Sequence, residues 1–318
     1  MLIVPEIYKK ILGKILGKIP PLVYVVIPNK NGLFHLSYSL QSLEKTTYSN
    51  FKVVVVDNGS IDESISYVLA HYSQIKVIPN TGKPGFAGGV NTGIKFALEN
   101  SAEYIAVFSN DIKVQASWID LALGIFPKIP EAGLIGFKEI LKENEQAFFA
   151  ADPSRDGVEC WDAQRTAGCL FFCPSKLFRT IGFLDEDYYM YGEDNDLFLR
   201  VLKGGFKIVE TSIPVWHFGE GYSRHNKFLP TWLAYRNALR FSIKNETPKR
   251  VLRMILSLLN QGCNPLYQAR KHDPNSQRLR RYNILFNLIL IMASCTWNIT
   301  HLRDTLNSRR RQKNTFGN

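Results

Sequence analysis

The stretch Val23-Tyr-Val-Val-Ile27 is a short apolar run rich in β-branched residues, and three similar runs follow it along the chain. These are Lys52-Val-Val-Val-Val56, Ile75-Lys-Val-Ile78 and Tyr104-Ile-Ala-Val-Phe108. Continuous runs of this kind are typical of parallel strands that are buried on both faces. Helix-length segments separate them, at about 34–46, 62–72 and 88–99. Strand, helix and strand at this spacing predict βαβ units, and hence an α/β fold with a mostly parallel central sheet.

Shorter elements follow from about residue 133. Strands are predicted at Gly133-Leu-Ile-Gly-Phe137, Gly168-Cys-Leu-Phe-Phe172 and Lys207-Ile-Val-Glu210, and a short helix at 175–182. The segment 193–203 predicts a helix that ends at Gly204 and Gly205, because glycine commonly terminates helices. Residues 139–165 are polar and predict a loop that is long enough to act as a lid.

Polar residues follow each of the four apolar runs. The segments are Pro28-Asn-Lys-Asn31, Asp57-Asn-Gly-Ser60, Asn80-Thr-Gly82 and Ser109-Asn-Asp111. The carboxyl ends of parallel strands form the crevice in which ligands bind, so the four segments together predict a binding site. Asp57 and the following turn amides could hold a nucleotide base or ribose. The alternative is an ordinary turn in which Ser60 or Asp62 caps the next helix.

Three further features suit a charged ligand. The glycine-rich stretch from Gly82 to Asn91 opens a helix and would allow close backbone approach or anion binding, although it matches neither a dinucleotide fingerprint nor a P-loop. Asp111 could hold a divalent cation that bridges a diphosphate. His217 could add a second ligand and would then favour Mn²⁺ over Mg²⁺. The alternative for His217 is a histidine packed between Trp216 and Phe218.

The acidic stretch Glu193-Asp194-Asn195-Asp196 follows an aromatic-glycine turn, which would expose its carboxylates at a cleft wall. Acidic residues in a first helical turn also occur for electrostatic reasons alone. At about 100° per residue, Asp194 and Asp196 point some 200° apart. One of the two therefore faces the site, and the other caps the helix or forms an ion pair.

Charge is unevenly distributed along the 318 residues. The net charge is +11, but residues 222–318 alone hold 18 Lys and Arg against 3 Asp and Glu. Such a region indicates an anionic membrane surface or nucleic acid as partner, or basic residues that serve solubility. Because it lacks a recognisable nucleic-acid motif and its charges alternate with apolar runs, we predict a membrane surface and no nucleic acid.

Two segments favour membrane association. Residues Ile7 to Ile19 repeat Ile-Leu-Gly-Lys at four-residue spacing, which predicts a basic amphipathic helix that lies in a membrane interface or packs on its own domain. Ile284 to Trp297 is apolar but shorter than the roughly 20 residues that span a bilayer. Arginines flank it at 278, 280, 281 and 309–311, so we predict a surface-bound or re-entrant segment.

The cysteines indicate the compartment. The five cysteines form no Cys-x-x-Cys pair, and Cys169 and Cys173 lie in an apolar run. This pattern predicts reduced, buried thiols in a cytosolic protein and argues against a zinc site. Together with the membrane signals it predicts a cytoplasmic protein that is peripheral on the inner face of the cell membrane.

The motifs resemble, in order, those of the family 2 glycosyltransferases of the GT-A fold, especially the bacterial rhamnosyl- and galactosyltransferase-like branch. The resemblance covers about residues 22–245. It rests on Val25-Val-Ile-Pro-Asn-Lys-Asn31, Val54-Val-Val-Asp-Asn-Gly-Ser60, Gly85-Phe-Ala-Gly-Gly-Val-Asn-Thr-Gly93, Ser109-Asn-Asp111, Gly168-Cys-Leu-Phe-Phe172, Tyr191-Gly-Glu-Asp-Asn-Asp196 and Trp216-His217. It implies a Rossmann-like GT-A catalytic domain (22–221). With the repeat and charge patterns above, the predicted division adds an amphipathic N-terminal segment (1–21) and a helical, basic, membrane-associating extension (222–318).

The resemblance also implies roles for the matching residues. Nucleotide-sugar binding is implied for Pro28, Asn31, Asp57, Asn58, Gly85, Phe86, Asn91 and Asn110. Asp111 resembles the last aspartate of the Asp-x-Asp motif and His217 a distal histidine ligand, and both would bind Mn²⁺ or Mg²⁺. Asp194 matches the general base, and Glu193 would contact the acceptor. The sequence departs from the family at Ser109, where the fuller motif has its first aspartate.

The implied activity is inverting transfer of a hexose or deoxyhexose from a nucleoside-diphosphate sugar to a hydroxyl of a glycan or lipid-linked acceptor, in cell-surface polysaccharide synthesis. A base on the acceptor side and a cation on the donor side satisfy this chemistry without a covalent intermediate. The alternative is a catalytically silent nucleotide-sugar or glycan-binding protein of the same fold. Ser109 motivates that alternative, and the intact pair of Glu193 and Asp194 argues against it.

Overall fold

The computed structural model describes residues 19–219, 228–263 and 284–316. The predicted amphipathic helix before residue 19, the boundary at 221/222 and the arginines at 278, 280 and 281 lie outside these ranges. The three-part domain division therefore stays a prediction.

The central sheet has eight strands in the order β3-β2-β1-β4-β9-β6-β10-β8, and a smaller sheet has the order β5-β11-β7. The strands are β1 (Val23–Asn29), β2 (Phe51–Asp57), β3 (Lys76–Pro79), β4 (Tyr104–Phe108), β5 (Ile112–Val114), β6 (Ala132–Gly136), β7 (Lys138–Leu141), β8 (Cys160–Ala163), β9 (Leu170–Pro174), β10 (Lys207–Thr211) and β11 (Pro214–His217). The first four strands are parallel neighbours, as the sequence predicts. Strand β9 runs antiparallel to both β4 and β6, so the second half of the sheet is mixed.

The helices before residue 219 pack on both faces of this sheet. They are α1 (Leu33–Leu43), α2 (Ser64–His71), α3 (Phe86–Glu99), α4 (Trp118–Leu123), α5 (Glu145–Ala150), α6 (Pro153–Asp156), α7 (Lys176–Ile181) and α8 (Glu193–Lys203), with 3₁₀ turns at Lys142–Asn144 and Glu186–Tyr188. Successive residues of a strand face opposite sides. Val23 and Val25 accordingly join one buried cluster, and Tyr24 and Val26 join the other. This two-sided burial explains why β1 and β2 are continuously apolar in sequence.

The segment 139–165 differs from the sequence-based expectation. It was expected to be a polar loop, but it contains β7, α5, α6 and β8, so that prediction is wrong. Strand β7 pairs in parallel with β11, and β8 pairs antiparallel with β10. These elements span only four to six residues each, and pairing partners distant in sequence fix them rather than a local hydrophobic period.

Within residues 228–263 and 284–316 the structure has four helices, as predicted for this region: α9 (Phe228–Asn245), α10 (Pro248–Cys263), α11 (Ile284–Thr300) and α12 (Leu302–Phe316). Tyr235, Leu239, Leu258, Leu290 and Ile291 form their common core. Within the described ranges no single helix meets the length and hydropathy expected of a membrane span. The pair α11 and α12, bent by 64°, meets them only when taken together.

The cysteines are free thiols throughout. Cys169 and Cys173 are buried as expected, whereas Cys160 and Cys263 are exposed, so the prediction of buried thiols is wrong for these two. Cys160 begins β8 at the edge of the sheet, and Cys263 is the last residue of α10. Both positions leave one side open to solvent.

Candidate active site

The structure joins the polar ends of the four parallel strands through side-chain amides. Asn29, which is buried, donates from Nδ2 to Ser60 Oγ (3.3 Å) beyond β2 and accepts at Oδ1 from Asn110 Nδ2 (2.8 Å) beyond β4. Asn58 accepts at Oδ1 from Asn80 Nδ2 (2.8 Å) beyond β3. These bonds bring the predicted strand-end segments together along one edge of the sheet.

The loops after β1 and β2 are tied to each other. Asn31 has a positive φ of 50°. Its N–H donates to Ser60 Oγ (3.0 Å), and its Oδ1 accepts from the N–H of Ile61 (2.7 Å). Asp57 accepts from the N–H of Ser60 (2.8 Å). Asp62 Oδ1 accepts from the N–H of Ser64 at the start of α2 (3.1 Å), which agrees with the alternative of a turn in which Asp62 caps that helix. The Asp57 carboxylate is partly exposed.

The glycine-rich turn permits close backbone contacts. Gly85 has a φ of 111°, and a Cβ atom there would lie 2.5 Å from the carbonyl oxygen of Tyr189. A Cβ atom on Gly89 would lie 2.7 Å from Asn58 Nδ2. Asn91 is buried, and its amide bonds both backbone groups of Leu184 (2.9 Å each) and Glu186 Oε1 (2.9 Å). Its side chain thus fastens α3 to the 184–186 segment.

Asp111 and His217 meet at the end of β4. Asp111 is buried, and its Oδ2 lies 3.3 Å from His217 Nε2. The other ring nitrogen of His217 contacts Glu139 of β7. His217 therefore lies between two carboxylates, which differs from the alternative of a histidine merely packed between aromatic rings. Burial opposes the charged imidazole, but hydrogen bonds to Asp111 and Glu139 outweigh it and raise the pKa of His217 to about 10.

The same place suits a divalent cation. Ligand atoms of Glu139, Cys169 and His217 lie within 4.8 Å of one another. Carboxylates with an imidazole form a donor set that suits Mn²⁺. Burial would raise the pKa of Asp111, but the hydrogen bond from His217 and the nearby His217 and His35 rings lower it. The residues therefore fit the implied cation. Glu139 was not singled out from the sequence, because no motif marks it within a polar segment.

The carboxylates of the acidic turn differ in exposure. Glu193 is 4% exposed, and its Oε2 is one of the described buried atoms without a hydrogen-bond partner. Burial, and then the neighbouring Asp194, raise the pKa of Glu193 well above its usual value. Asp194 is partly exposed, and burial also raises its pKa, although the N–H of Asn195 (2.7 Å to Oδ1) opposes this. The turn thus contains two adjacent carboxyl groups whose pKa values are both raised.

Asp196 points away from the site, as helical geometry predicts. It is fully buried and pairs with Arg200 Nε (3.0 Å) and Lys244 Nζ (2.9 Å). These cations hold the pKa of Asp196 below its usual value despite burial, which would raise it. Asp196 therefore anchors α8 to α9.

The two chemical features lie on either side of the start of β9. A Cβ atom on Gly168 would lie 2.6 Å from Asp194 Oδ2, so this glycine leaves room for the carboxylate. The next residue, Cys169, contributes the Sγ atom that lies near His217 and Glu139. Gly168 and Cys169, two consecutive residues of the chain, therefore lie next to the acidic turn and next to the group of Glu139 and His217, respectively.

Helix α9 holds the acidic turn in place, and sequence analysis did not foresee this. Asn237 donates from Nδ2 to the carbonyl oxygens of Tyr188 (3.1 Å), Met190 (2.8 Å) and Tyr191 (2.5 Å). Arg236 donates from Nη2 to the carbonyl oxygen of Tyr188 (2.6 Å). Both side chains are buried. The available signal was the spacing of Arg236, Arg240 and Lys244, which places three cations on one face of an otherwise apolar helix.

Tyr189 (φ 63°), Tyr191 (φ 69°) and Gly192 (φ 97°) adopt left-handed backbone conformations in this turn. Only glycine does so without a steric cost. The bonds from α9 therefore hold two tyrosines in a conformation that presents Glu193 and Asp194.

Two cavities of about 600 and 640 Å³ lie elsewhere in the described residues. One lies between α3, the 179–187 segment and α12, and the other lies beside Tyr104, Phe126 and Phe206.

The mostly parallel eight-stranded sheet and the crevice at its edge agree with the GT-A fold that the sequence predicts. Residues 24–150 match the family model described as Glycosyl transferase family 2, which confirms the resemblance to that family predicted from the sequence.

Similar proteins agree with this match. An uncharacterized glycosyltransferase of Rickettsia typhi is 26% identical over 58% of this chain and 59% of its own length. An Escherichia coli UDP-Glc:alpha-D-GlcNAc-diphosphoundecaprenol beta-1,3-glucosyltransferase, WfgD, is 31% identical over 39% of this chain and 48% of its own. The chain thus spans only about half to three-fifths of these curated relatives.

A solved structure shares the fold. The mannosyltransferase PcManGT of Pyrobaculum calidifontis, in complex with GDP-Man and Mn²⁺, is 14% identical and superposes with a TM-score of 0.52. The alignment covers 92% of this chain and 82% of that one. At this identity the likeness establishes the fold and nothing further.

Proposed function

We propose that this protein is an inverting glycosyltransferase that moves a hexosyl or deoxyhexosyl group from a nucleoside-diphosphate sugar to a hydroxyl of a glycan or lipid-linked acceptor. The observation that carries this proposal is the juxtaposition at Gly168 and Cys169. On one side lies Asp194, a partly exposed carboxylate with a raised pKa. On the other lie Asp111 and His217, a donor set for a cation.

The donor would occupy the edge crevice. Pro28, Asn31, Asp57, Asn58, Gly85, Phe86, Asn91 and Asn110 are the residues that we propose to bind or shape its nucleotide-sugar pocket. The bound GDP-Man and Mn²⁺ of the Pyrobaculum enzyme support a nucleoside-diphosphate donor and a divalent cation. Asp111 and His217 would hold the cation, which when bound supplies positive charge that stabilises the leaving diphosphate.

Asp194 would act as the general base. A carboxylate with a raised pKa is a stronger base at neutral pH than an ordinary aspartate. Asp194 would take the proton from the acceptor hydroxyl, whose oxygen attacks the anomeric carbon opposite the leaving diphosphate, so that the configuration inverts. Burial, and then the neighbouring Asp194, raise the pKa of Glu193, and Glu193 would contact the acceptor.

The similar proteins and the basic charge of the C-terminal region support the proposed acceptor and location. The name of the Escherichia coli relative specifies a diphosphoundecaprenol-linked acceptor. A lipid-linked acceptor of this kind, together with the basic C-terminal region, supports a role in cell-surface polysaccharide synthesis. The protein would work in the cytoplasm, peripheral on the inner face of the cell membrane.

Release of nucleoside diphosphate from a panel of nucleotide sugars, with Mn²⁺ present, tests this function. We expect one donor to be turned over, slowly with water and faster with a matching acceptor. A protein that is stabilised against heat by a nucleotide sugar but turns over none of the panel would instead be the catalytically silent binder.

A further inference from the structure

Helix α11 carries polar side chains on its buried face, beside the buried Leu290 and Ile291. Its buried face includes Asn287, Ser294 and Asn298. Asn298 donates from Nδ2 to the carbonyl oxygen of Arg236 (2.9 Å), and Ser294 donates to that of Trp232 (3.5 Å). These bonds fix which face of α11 lies against α9.

The opposite face of α11 is apolar and open. Leu285, Ile289, Met292 and Ile299 are 69%, 49%, 66% and 72% exposed. At about 100° per residue they fall on one stripe, roughly opposite Asn287, Leu290, Ile291, Ser294 and Asn298, and the stripe is about 20 Å long. The 17 residues of α11 include no charged side chain. A stripe of this extent is more than the scattered exposed apolar residues of an ordinary surface.

Helix α10 adds a second exposed apolar strip. Leu252 and Leu256, one turn apart, are 57% and 56% exposed. Lys249 and Arg253, also exposed, lie beside them on the same helix. Helix α10 packs against α11 so closely that a Cβ atom on Gly262 would lie 2.7 Å from Ile291 Cδ1. Apolar strips bordered by cations are typical of helices that lie in a membrane interface.

The surrounding charge decides the occupant of this surface. Of the eleven Lys and Arg in residues 228–263 and 284–316, Arg236, Arg240 and Lys244 are buried. Six others are exposed, against the two acidic residues Glu246 and Asp304: Lys249, Arg250, Arg253, Arg303, Arg310 and Arg311. A second copy of the chain would bring like charges together, whereas anionic lipid would neutralise them. Hydrogen bonds to α9 also keep the inner face of α11 packed against the protein, so that only its outer face is available. This arrangement suits a helix that lies in the plane of the membrane.

We propose that the outward faces of α10 and α11, defined by Leu252, Leu256, Leu285, Ile289 and Met292, are a docking surface for an anionic lipid bilayer. The apolar strips enter the interface and the basic side chains contact lipid headgroups. The purpose of this docking, access to a lipid-linked acceptor, rests on the proposed function, but lipid binding itself can be tested without any turnover.

The experiment is flotation of the full chain with vesicles of phosphatidylcholine alone or with 30 mol% phosphatidylglycerol. We expect flotation with the anionic vesicles that weakens with salt. Ile289→Ser/Met292→Ser should lower the vesicle partition coefficient at least tenfold, and Lys249→Gln/Arg253→Gln should lower it severalfold and reduce its salt dependence. Leu69→Ser/Phe149→Ser is the matched control, because it removes two exposed apolar side chains from α2 and α5 instead of α11, and it should float like wild type.

Two results would overturn the proposal. One is that wild type and Ile289→Ser/Met292→Ser float to the same extent, or that neither of them floats. The other is conversion of a dimer to a monomer by that variant without change in vesicle binding, which would make the surface a contact between copies. Nucleoside-diphosphate release, measured without vesicles, should be unchanged in these variants. A loss of lipid binding is thereby distinguished from a failure of the proposed function.

Discussion

Replacing Asn237 by alanine should disable the acidic turn while leaving the nucleotide side of the crevice intact. The change removes three hydrogen bonds to turn carbonyls and the bond that Asn237 Oδ1 accepts from Arg236 Nε (2.8 Å), while Arg236 Nη2 still donates to the carbonyl oxygen of Tyr188. At a net contribution of about 1 kcal/mol per bond, and with Tyr188 still bonded, the loss is about 3 kcal/mol, or about 6–12 °C in Tm. The left-handed conformations of Tyr189 and Tyr191 cost roughly 1–2 kcal/mol each, so the turn would relax.

Relaxation of the turn would move Asp194, and a displacement of about 1 Å can cost about 10²-fold in rate. We therefore expect kcat for nucleoside-diphosphate release to fall about 10²-fold, with the donor KM unchanged. Asn298→Ala is the control, because it removes two hydrogen bonds from a buried amide in the same bundle. It should lose about 2 kcal/mol of stability and keep its kcat. Equal kcat for Asn237→Ala and wild type, or an equal loss in Asn298→Ala, would refute the reasoning.

Three further predictions concern the same site. Glu193→Gln should raise Tm by about 2–4 °C at pH 8. The folded-state pKa of Glu193 is raised, so the stability of the wild type declines as pH rises from the ordinary glutamate pKa of 4.5 through that raised pKa, and the variant lacks this decline. Parallel Tm–pH curves for the two proteins would contradict this prediction. Gly168→Ala should reduce kcat about tenfold or more with little change in Tm, because its Cβ displaces the Asp194 carboxylate; unchanged kcat would show that Asp194 tolerates the shift. His217→Ala should weaken Mn²⁺ binding at least about tenfold in thermal-shift titrations, and an unchanged titration would exclude it as a ligand.

Much of the fold could be predicted because long, apolar strands carry their own signal. Strands β1, β2 and β4 are buried on both faces, and their polar ends necessarily meet at one edge once the sheet is parallel. The helix at Glu193–Lys203 was likewise predictable from its acidic start and its glycine stop. These features depend on local sequence and on general rules of α/β topology.

The remaining features depend on contacts between distant parts of the chain. Strand β7 is four residues long and exists because β11 pairs with it, so Glu139 could not be placed beside His217 from sequence. Asn237 lies 46 residues beyond Tyr191, and its amide gives no sign in sequence of the carbonyls that it bonds. The orientation of α11 was similarly hidden, because Asn287, Ser294 and Asn298 lie on its buried face, whereas polar residues of a helix are ordinarily expected on the solvent side.

The central claim is that Asp194 is the base of a glycosyl transfer, and the measurement that tests it most directly is turnover of Asp194→Asn. The account predicts a fall in kcat of about 10²-fold or more, because general-base catalysis contributes about 10²–10⁴-fold, with nucleotide affinity unchanged by thermal shift. Asp162→Asn, at an exposed aspartate paired with Lys207, should behave like wild type. Full transferase activity in Asp194→Asn would contradict the account.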